Sequence, residues 1–303
     1  MSPLSPSKIK LGISPIGWTN DDMPELGGNI SFIECIKEIY KADFEGTEIG
    51  SKFPRDIEEL QNKLNQYDLS IASQWFSATF TTDENPAATV GRFRKHMEFL
   101  KKLGVKVIVV SEQGNSIQQQ MNTPILYNKP KLNSVLWEKL VNGLEKIGSM
   151  AKENDMDIVY HQHMGTVIQT YEETKQLMER CDKDLVSLLL DTGHMYFAEN
   201  FNAIIKILDN YGDRMKHIHL KDIRTNVLKQ VKEEHLSFLQ AVKAGVFTVP
   251  GDGVINFEPI FKKIDEIKYE GWLVVEAEQD PNKANPLDYA KKARRYINQL
   301  TGL

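Results

Sequence analysis

Eight short apolar runs recur along the chain, each trailed by a loop and then by a longer stretch with helical spacing. The runs fall near 9–14 (IKLGIS), 45–49, 69–75, 105–110 (VKVIVV), 157–162 (DIVYHQ), 185–190 (LVSLLL), 215–220 (MKHIHL) and 272–276 (WLVVE). Helical patterns lie at about 31–42, 55–67, 86–103, 133–154, 171–181, 200–211, 228–243, 258–268 and 286–300. Strands that are apolar throughout and alternate with helices belong to a parallel sheet covered on its outer face, and eight such units close into a (β/α)8 barrel. A doubly wound open sheet would carry a glycine-rich first turn; here the first strand runs into PIGWTNDDMPELGG, which has no G-x-G-x-x-G.

At 303 residues with no Ser/Gly/Pro-rich interior linker, the chain reads as a single barrel domain, 1–303. A frayed tail is expected at 1–8, and a helical insertion at 225–249 is a candidate lid or subunit contact, so a homo-oligomer is one expectation. Lys plus Arg total 37 against 42 Asp plus Glu, a net charge of -5, which offers no field for nucleic acid. Cys35 and Cys181 both sit inside helical patterns, so they read as packing residues in a reducing compartment. The opening MSPLSPSK has no apolar core, and no run approaches the roughly eighteen apolar residues of a membrane span. The expectation is a cytoplasmic protein without a membrane partner.

Barrel enzymes carry their chemistry at the C-terminal strand ends. In the first half these ends present Trp18, then Glu48 and Lys52, then Gln74 and Trp75, then Glu112 and Gln113. The second half presents His161 and His163, Asp191 and His194, His217, His219, Lys221 and Asp222, and finally Glu276 and Glu278. Each has a bland reading. Asp191 can cap a helix, Lys221 and Asp222 can form an exposed pair of little energetic weight, and Glu278 can be a rim charge. Four consecutive strands ending in His, Asp, His and Glu are harder to explain without a divalent cation at one mouth. Gly193 reads as a tight turn carrying His194 toward it. Period-two alternation puts His161 with His163, His217 with His219, and Glu276 with Glu278 on shared faces, and does not choose within a pair. Nitrogen and oxygen donors without thiolate suit manganese, cobalt, iron or magnesium over structural zinc, with catalytic zinc left open.

DTGH at the sixth strand, HLKD at the seventh, PGDGVINF after it and a last strand ending in glutamate resemble the xylose-isomerase-like barrel superfamily, which includes endonuclease IV and keto-sugar epimerases. LGISPIGWTNDDMPELGG, GTEIGSKFPRD, YHQHMGT and VVEAEQDP extend the resemblance along the chain to the inosose dehydratases. That resemblance implies removal of water from 2-keto-myo-inositol (scyllo-inosose), a cyclic polyol ketone, to give a trihydroxycyclohexane-dione in myo-inositol catabolism. It also implies a divalent metal such as manganese or cobalt, with a thiol such as glutathione associated with the family. Carried over by position, the ligands are His161, Asp191, His219 and Glu276, and the D-x-x-H histidine is His194. His161 departs from the superfamily's glutamate, which argues against simple epimerisation and leaves open whether His161 or His163 meets the metal. His161 or His163 then serves as acid or base, Lys52, His194 and Lys221 orient hydroxyls or protonate the departing oxygen, and Trp18, Glu48, Gln74 and Trp75 contact substrate. The rivals are a metal-dependent keto-sugar or inosose isomerase or epimerase, and a non-catalytic sugar-binding barrel.

Overall fold

The computed structural model describes residue 4 and residues 8–303. Nine parallel strands form one sheet: β1 (Ile9–Ile13), β2 (Gly46–Thr47), β3 (Ser70–Ile71), β4 (Trp75–Ala78), β5 (Val107–Glu112), β6 (Asp157–His161), β7 (Val186–Asp191), β8 (Met215–Leu220) and β11 (Gly271–Val275). Their order is β3-β2-β1-β11-β8-β7-β6-β5-β4. Since β3 and β4 are the two halves of one stave, the sheet closes into an eight-staved (β/α)8 barrel. The stave expected as one strand at 69–75 is broken because Ser73 turns its hydroxyl into the ladder. That hydroxyl donates to Val107 O at 2.8 Å and accepts from Val109 N at 3.1 Å.

Helices cover the outside: α1 (Phe32–Lys41), α2 (Ile57–Asn65), α3 (Ala87–Lys102), α4 (Ser134–Lys152), α5 (Tyr171–Arg180), α7 (Phe201–Tyr211), α10 (Phe257–Glu266) and α11 (Pro286–Thr301). Outward strand residues such as Ile158, Tyr160, Leu188, Leu190, Ile218 and Leu220 pack with them in the main core. Inward residues Val109, Val159 and Leu189 form a separate small layer inside the barrel. One register shift matters to what lies above it. Leu188 pairs with Met215 but Leu189 pairs with His217, so Lys216 is an extra residue in β8. A one-residue slip exchanges the two faces of a strand. Here it turns His217 and His219 inward opposite Leu189 and Asp191.

Two further segments depart from the expected string. The segment after β7 is a short helix, α6 (Thr192–Ala198), rather than a turn, started by the Asp191 carboxylate accepting His194 N–H at 2.8 Å. The insertion is two helices, α8 (Thr225–Glu233) and α9 (Phe238–Ala244), closed at its base by the antiparallel pair β9 (Asp222–Ile223) and β10 (Phe247–Thr248). Its apolar side joins Met23, Leu26, Ile117, Ile125 and Met164 in a second core over the C-terminal mouth. The expected tail at 1–8 falls mostly on residues 1–3 and 5–7, outside the described residues; Leu4 is buried, its N–H donating to Thr301 O at 2.9 Å. No helix among the described residues is long and apolar enough to cross a membrane.

At the opposite end Trp272 lies across Gly12 and Gly46. A Cβ on Gly46 would stand 2.5 Å from both the indole and Ser70 O. Gly46→Ala is therefore expected to lower stability by about 1–3 kcal/mol, the usual range for overpacking. Denaturant unfolding of the variant against the parent chain checks this, and an unchanged midpoint would remove the role given to this glycine.

Candidate functional site

Four inward groups meet at the C-terminal mouth, each oriented by a second contact that leaves one donor atom bare. His161, the last residue of β6, directs Nδ1–H to Gln162 O at 2.7 Å, which leaves Nε2 as a lone pair. Asp191, the last residue of β7, uses Oδ1 to cap α6, while the fully buried Oδ2 has no hydrogen-bond partner. His219 on β8 directs Nε2–H to Glu48 Oε1 at 3.0 Å, freeing Nδ1. Glu276, just past β11, accepts from Lys221 through Oε1 at 2.7 Å and turns Oε2 toward His219.

The free atoms lie within 4.8 Å of one another. Asp191 Oδ2 is 3.6 Å from His161 Nε2 and 3.5 Å from His219 Nδ1. Ligands about 2.1 Å from a shared ion stand roughly 3–3.5 Å apart, so this edge length fits. His219 Nδ1 and Glu276 Oε2 are 2.5 Å apart yet not aligned as a hydrogen bond, and Nδ1 stays unpartnered. Two orphaned buried atoms aimed into one donor set, with two nitrogens, two oxygens and no thiolate, make this a candidate divalent-metal centre.

The field has the matching sign. Against the cost of burial, Glu276 and Glu48 hold the His219 imidazole well above its usual range, so an ion bound by the set would take the place of a proton on Nδ1. Burial also opposes ionisation of Asp191 and Glu276, yet Lys221 with His194 keeps Asp191 well below the carboxylate range, and His219 with Lys221 keeps Glu276 at about 2. The pocket favours positive charge.

A second cluster adjoins the first. His163 donates through Nδ1 to Met164 O at 2.9 Å and leaves Nε2 bare, 3.9 Å from Glu278 Oε1; His194 Nε2 is also 3.9 Å from that oxygen. Lys221 sits between the clusters with its ammonium 2.7 Å from Glu276, 2.8 Å from Glu278, 3.0 Å from His194 Nε2 and 3.2 Å from Asp191 Oδ2. Donation to His194 Nε2 puts that ring's proton on Nδ1, so the 3.4 Å approach of Met164 N–H to Nδ1 is not a working hydrogen bond. Burial, with His161 and Lys221 adding to it, lowers His163 to about 3, and burial pushes Glu278 up to about 7. Phe238 and Phe247 wall this cluster, Phe247 with its ring 4.7 Å from the Lys221 ammonium.

A cavity of about 250 Å³ opens onto these groups, and His163, His219, Glu276 and Glu278 reach it. Glu48, Gln74, Trp75, Arg55 and Gln118 line its other sides. Trp75 stands edge-on to His161 and His163 at 5.4 and 5.6 Å, its Nε1 anchored on Ser77 Oγ. A larger cleft, about 740 Å³, surrounds Trp272 at the other end of the barrel and holds none of these groups.

Several expectations need correction. Trp18 does not reach the cavity: it is 1% exposed in the core, its indole donating to Glu38 at 2.7 Å. Lys52 lies outside the cavity too, its ammonium tied to the carbonyls of Gly27, Gly28 and Ile30 at 2.7–3.0 Å, where it braces the loop after β1. Lys221 and Asp222 are no exposed pair, since both are fully buried and Asp222 accepts the backbone N–H groups of Gly251, Gly253, Ile223 and Ile255. Gly193 serves close approach, not a tight turn: a Cβ there would stand 2.5–2.8 Å from the Lys221 stem. Glu278, whose bland reading was a rim charge, is 4% exposed; its shared face with Glu276 was the signal that it belonged inside. Glu48 lines the cavity as expected but also clamps His217 and His219, each at 3.0 Å, a pairing across the barrel that no local sequence pattern announces.

The profile of the xylose isomerase-like TIM barrel family matches residues 36–300. The inosose dehydratase of Geobacillus thermodenitrificans (strain NG80-2) is 55% identical, covering 98% of this chain and 99% of its own length. That of Clostridium perfringens (strain 13 / Type A) is 54% identical with the same coverage. A crystal structure of the IOLI protein with a bound zinc atom superposes with a TM-score of 0.71 at 15% identity, over 97% of this chain and 98% of that one, a likeness of fold. With matched relatives this similar over their whole length and a barrel of this topology, the chain belongs to the inosose dehydratase family of the xylose isomerase-like TIM barrels.

Proposed function

We propose that the chain removes water from an inosose, a cyclic polyol ketone, with one divalent ion held by His161, Asp191, His219 and Glu276. The observation that carries this reading is the pair of buried, unpartnered atoms, Asp191 Oδ2 and His219 Nδ1, converging with His161 Nε2 and Glu276 Oε2 beside a cavity of sugar-ring size. When bound, the ion, manganese or cobalt by family resemblance, supplies Lewis acidity for a ketone and its neighbouring hydroxyl.

Dehydration needs a proton taken from the carbon beside the carbonyl and another delivered to the departing hydroxyl. His163 is placed for the first task, because its bare Nε2 faces the cavity and its other nitrogen is committed to Met164 O. Glu278 reaches the same cavity 3.9 Å from His163 and is placed for the second. The carbon–hydrogen and carbon–oxygen bonds break, a carbon–carbon double bond forms, water leaves, and the enol relaxes to the dione. Passage of the proton from His163 to Glu278 restores both groups. Trp75 offers an indole to the C–H edge of the ring, and Gln74 and Gln118 offer amides to its hydroxyls. Lys52 and Trp18 take no part.

Incubating the metal-loaded protein with inosose and following the dione absorbance tests the reaction: an isomerised ketone with no loss of water would replace this reading by the epimerase one. Asp191→Ala is expected to lose bound metal and turnover together while keeping its far-ultraviolet circular dichroism, and full metal occupancy in that variant would contradict the ligand set. Glu48→Ala releases His219 from its second contact, so metal affinity should fall about 10–100-fold; titration with cobalt under chelator competition measures it, and an unchanged affinity would leave Glu48 only its contact with substrate.

A further inference from the structure

Among the described residues, the trio His163, His194 and Glu278 has the composition and spacing of a metal site in its own right, with one donor atom of each within 4.8 Å of the others. A cation already contacts two of the three, His194 and Glu278. The Lys221 ammonium has three protons and three close acceptors, Glu276 Oε1 at 2.7 Å, Glu278 Oε2 at 2.8 Å and His194 Nε2 at 3.0 Å. Its seat is constructed from several parts. Thr192 Oγ1 donates to Lys221 O at 2.7 Å and accepts Lys221 N–H at 2.9 Å, fixing the backbone. Gly193 leaves the space its stem occupies, and Phe247 closes over the charge. The side chain is fully buried and does not line the cavity, so it is not placed to exchange protons with a substrate there.

We propose that Lys221 is a built-in cation: its ammonium fills a second cation position framed by His163, His194 and Glu278, and so holds the chain to a single divalent ion. This rests on the reading that His161, Asp191, His219 and Glu276 bind that ion. Lys221 is then a positioning residue. It offsets the charge of Asp191 and Glu276 and donates a hydrogen bond to Glu278, while keeping His194 and Glu278 from gathering a second metal. Asp191 and Glu276 face both positions, so a divalent ion in place of the ammonium would share them with the first, the arrangement of two-metal sites.

Lys221→Met keeps most of the stem against Gly193 and Phe247 and removes the ammonium with its three hydrogen bonds. Wild type, equilibrated with excess cobalt and freed of loose metal by gel filtration, is expected to hold one ion per chain, Lys221→Met two, and Lys221→Met/Glu278→Gln one again. A single ion in Lys221→Met, or two in the wild type, overturns the proposal; no ion in the wild type overturns instead the metal reading beneath it. Should Lys221→Met fail to fold without metal, recovery of folded protein at two equivalents of cobalt but not at one supports the proposal, and recovery at one equivalent or none at all overturns it.

Discussion

Glu48, Asp191, Glu276 and Glu278 are buried in one barrel mouth, and the last three share a single ammonium, that of Lys221. Each buried ion costs several kcal/mol unless it is paired and hydrogen-bonded. The surroundings are arranged around that cost: Glu48 takes two imidazole N–H groups, Glu276 and Glu278 take the lysine, and Asp191 spends one oxygen on the start of α6. The other Asp191 oxygen accepts no hydrogen bond and faces two ring nitrogens, with the Lys221 ammonium 3.2 Å away. A chain selected only for stability would not keep such a group, because an apolar residue at a strand end costs nothing to bury. The imbalance is the physical content of the site.

Closure of the sheet is what brings these groups together, and register decides which groups they are. Alternate residues of a barrel strand point inward, so His161, Asp191 and His219 share an interior layer only if neighbouring strands agree in phase. The extra residue at Lys216 supplies that agreement. Without it Asp191 would face Ile218, and β8 would turn its histidines toward the helices. The same shift separates the two histidines of β8 by depth. His217 lies level with Leu189 and pairs with Glu48, whereas His219 lies level with Asp191 and meets Asp191, Glu276 and Glu48.

The barrel was legible because most strands are short apolar runs and each helix follows with its own period, a pattern that local residues carry by themselves. Asp191 was legible for a related reason: LLLD ends a buried run in a group that burial opposes. What the sequence could not convey was contact across the barrel. Trp18 and Trp75 look alike at the ends of strands, yet one is drawn into the core by Glu38 and the other is held over the histidines by Ser77. Lys52 and Lys221 are both lysines just past a strand. One brackets three loop carbonyls and the other threads past Gly193 into the interior, a difference that depends on a glycine 28 residues away in the chain. The broken third stave was hidden as well, because a serine hydroxyl entering a ladder leaves no trace in hydrophobic periodicity.

The segment 225–249, legible as helical but not in its purpose, fits into this account through its apolar side. Phe238 and Phe247 press on His163 and His194, while their neighbours pack with Met23 and Leu26 from the loop after β1 and with Ile117 and Ile125 from the loop after β5. A flap that opened freely would have to break that shared core at each turnover, so this part of the mouth is a wall, and entry is left to the side lined by Arg55, Trp75 and Gln118. A dry wall also strengthens every charge interaction behind it. The lysine can then act as a fixed counter-charge: water has little room to compete for it, and an aromatic face covers it on the side where no carboxylate stands.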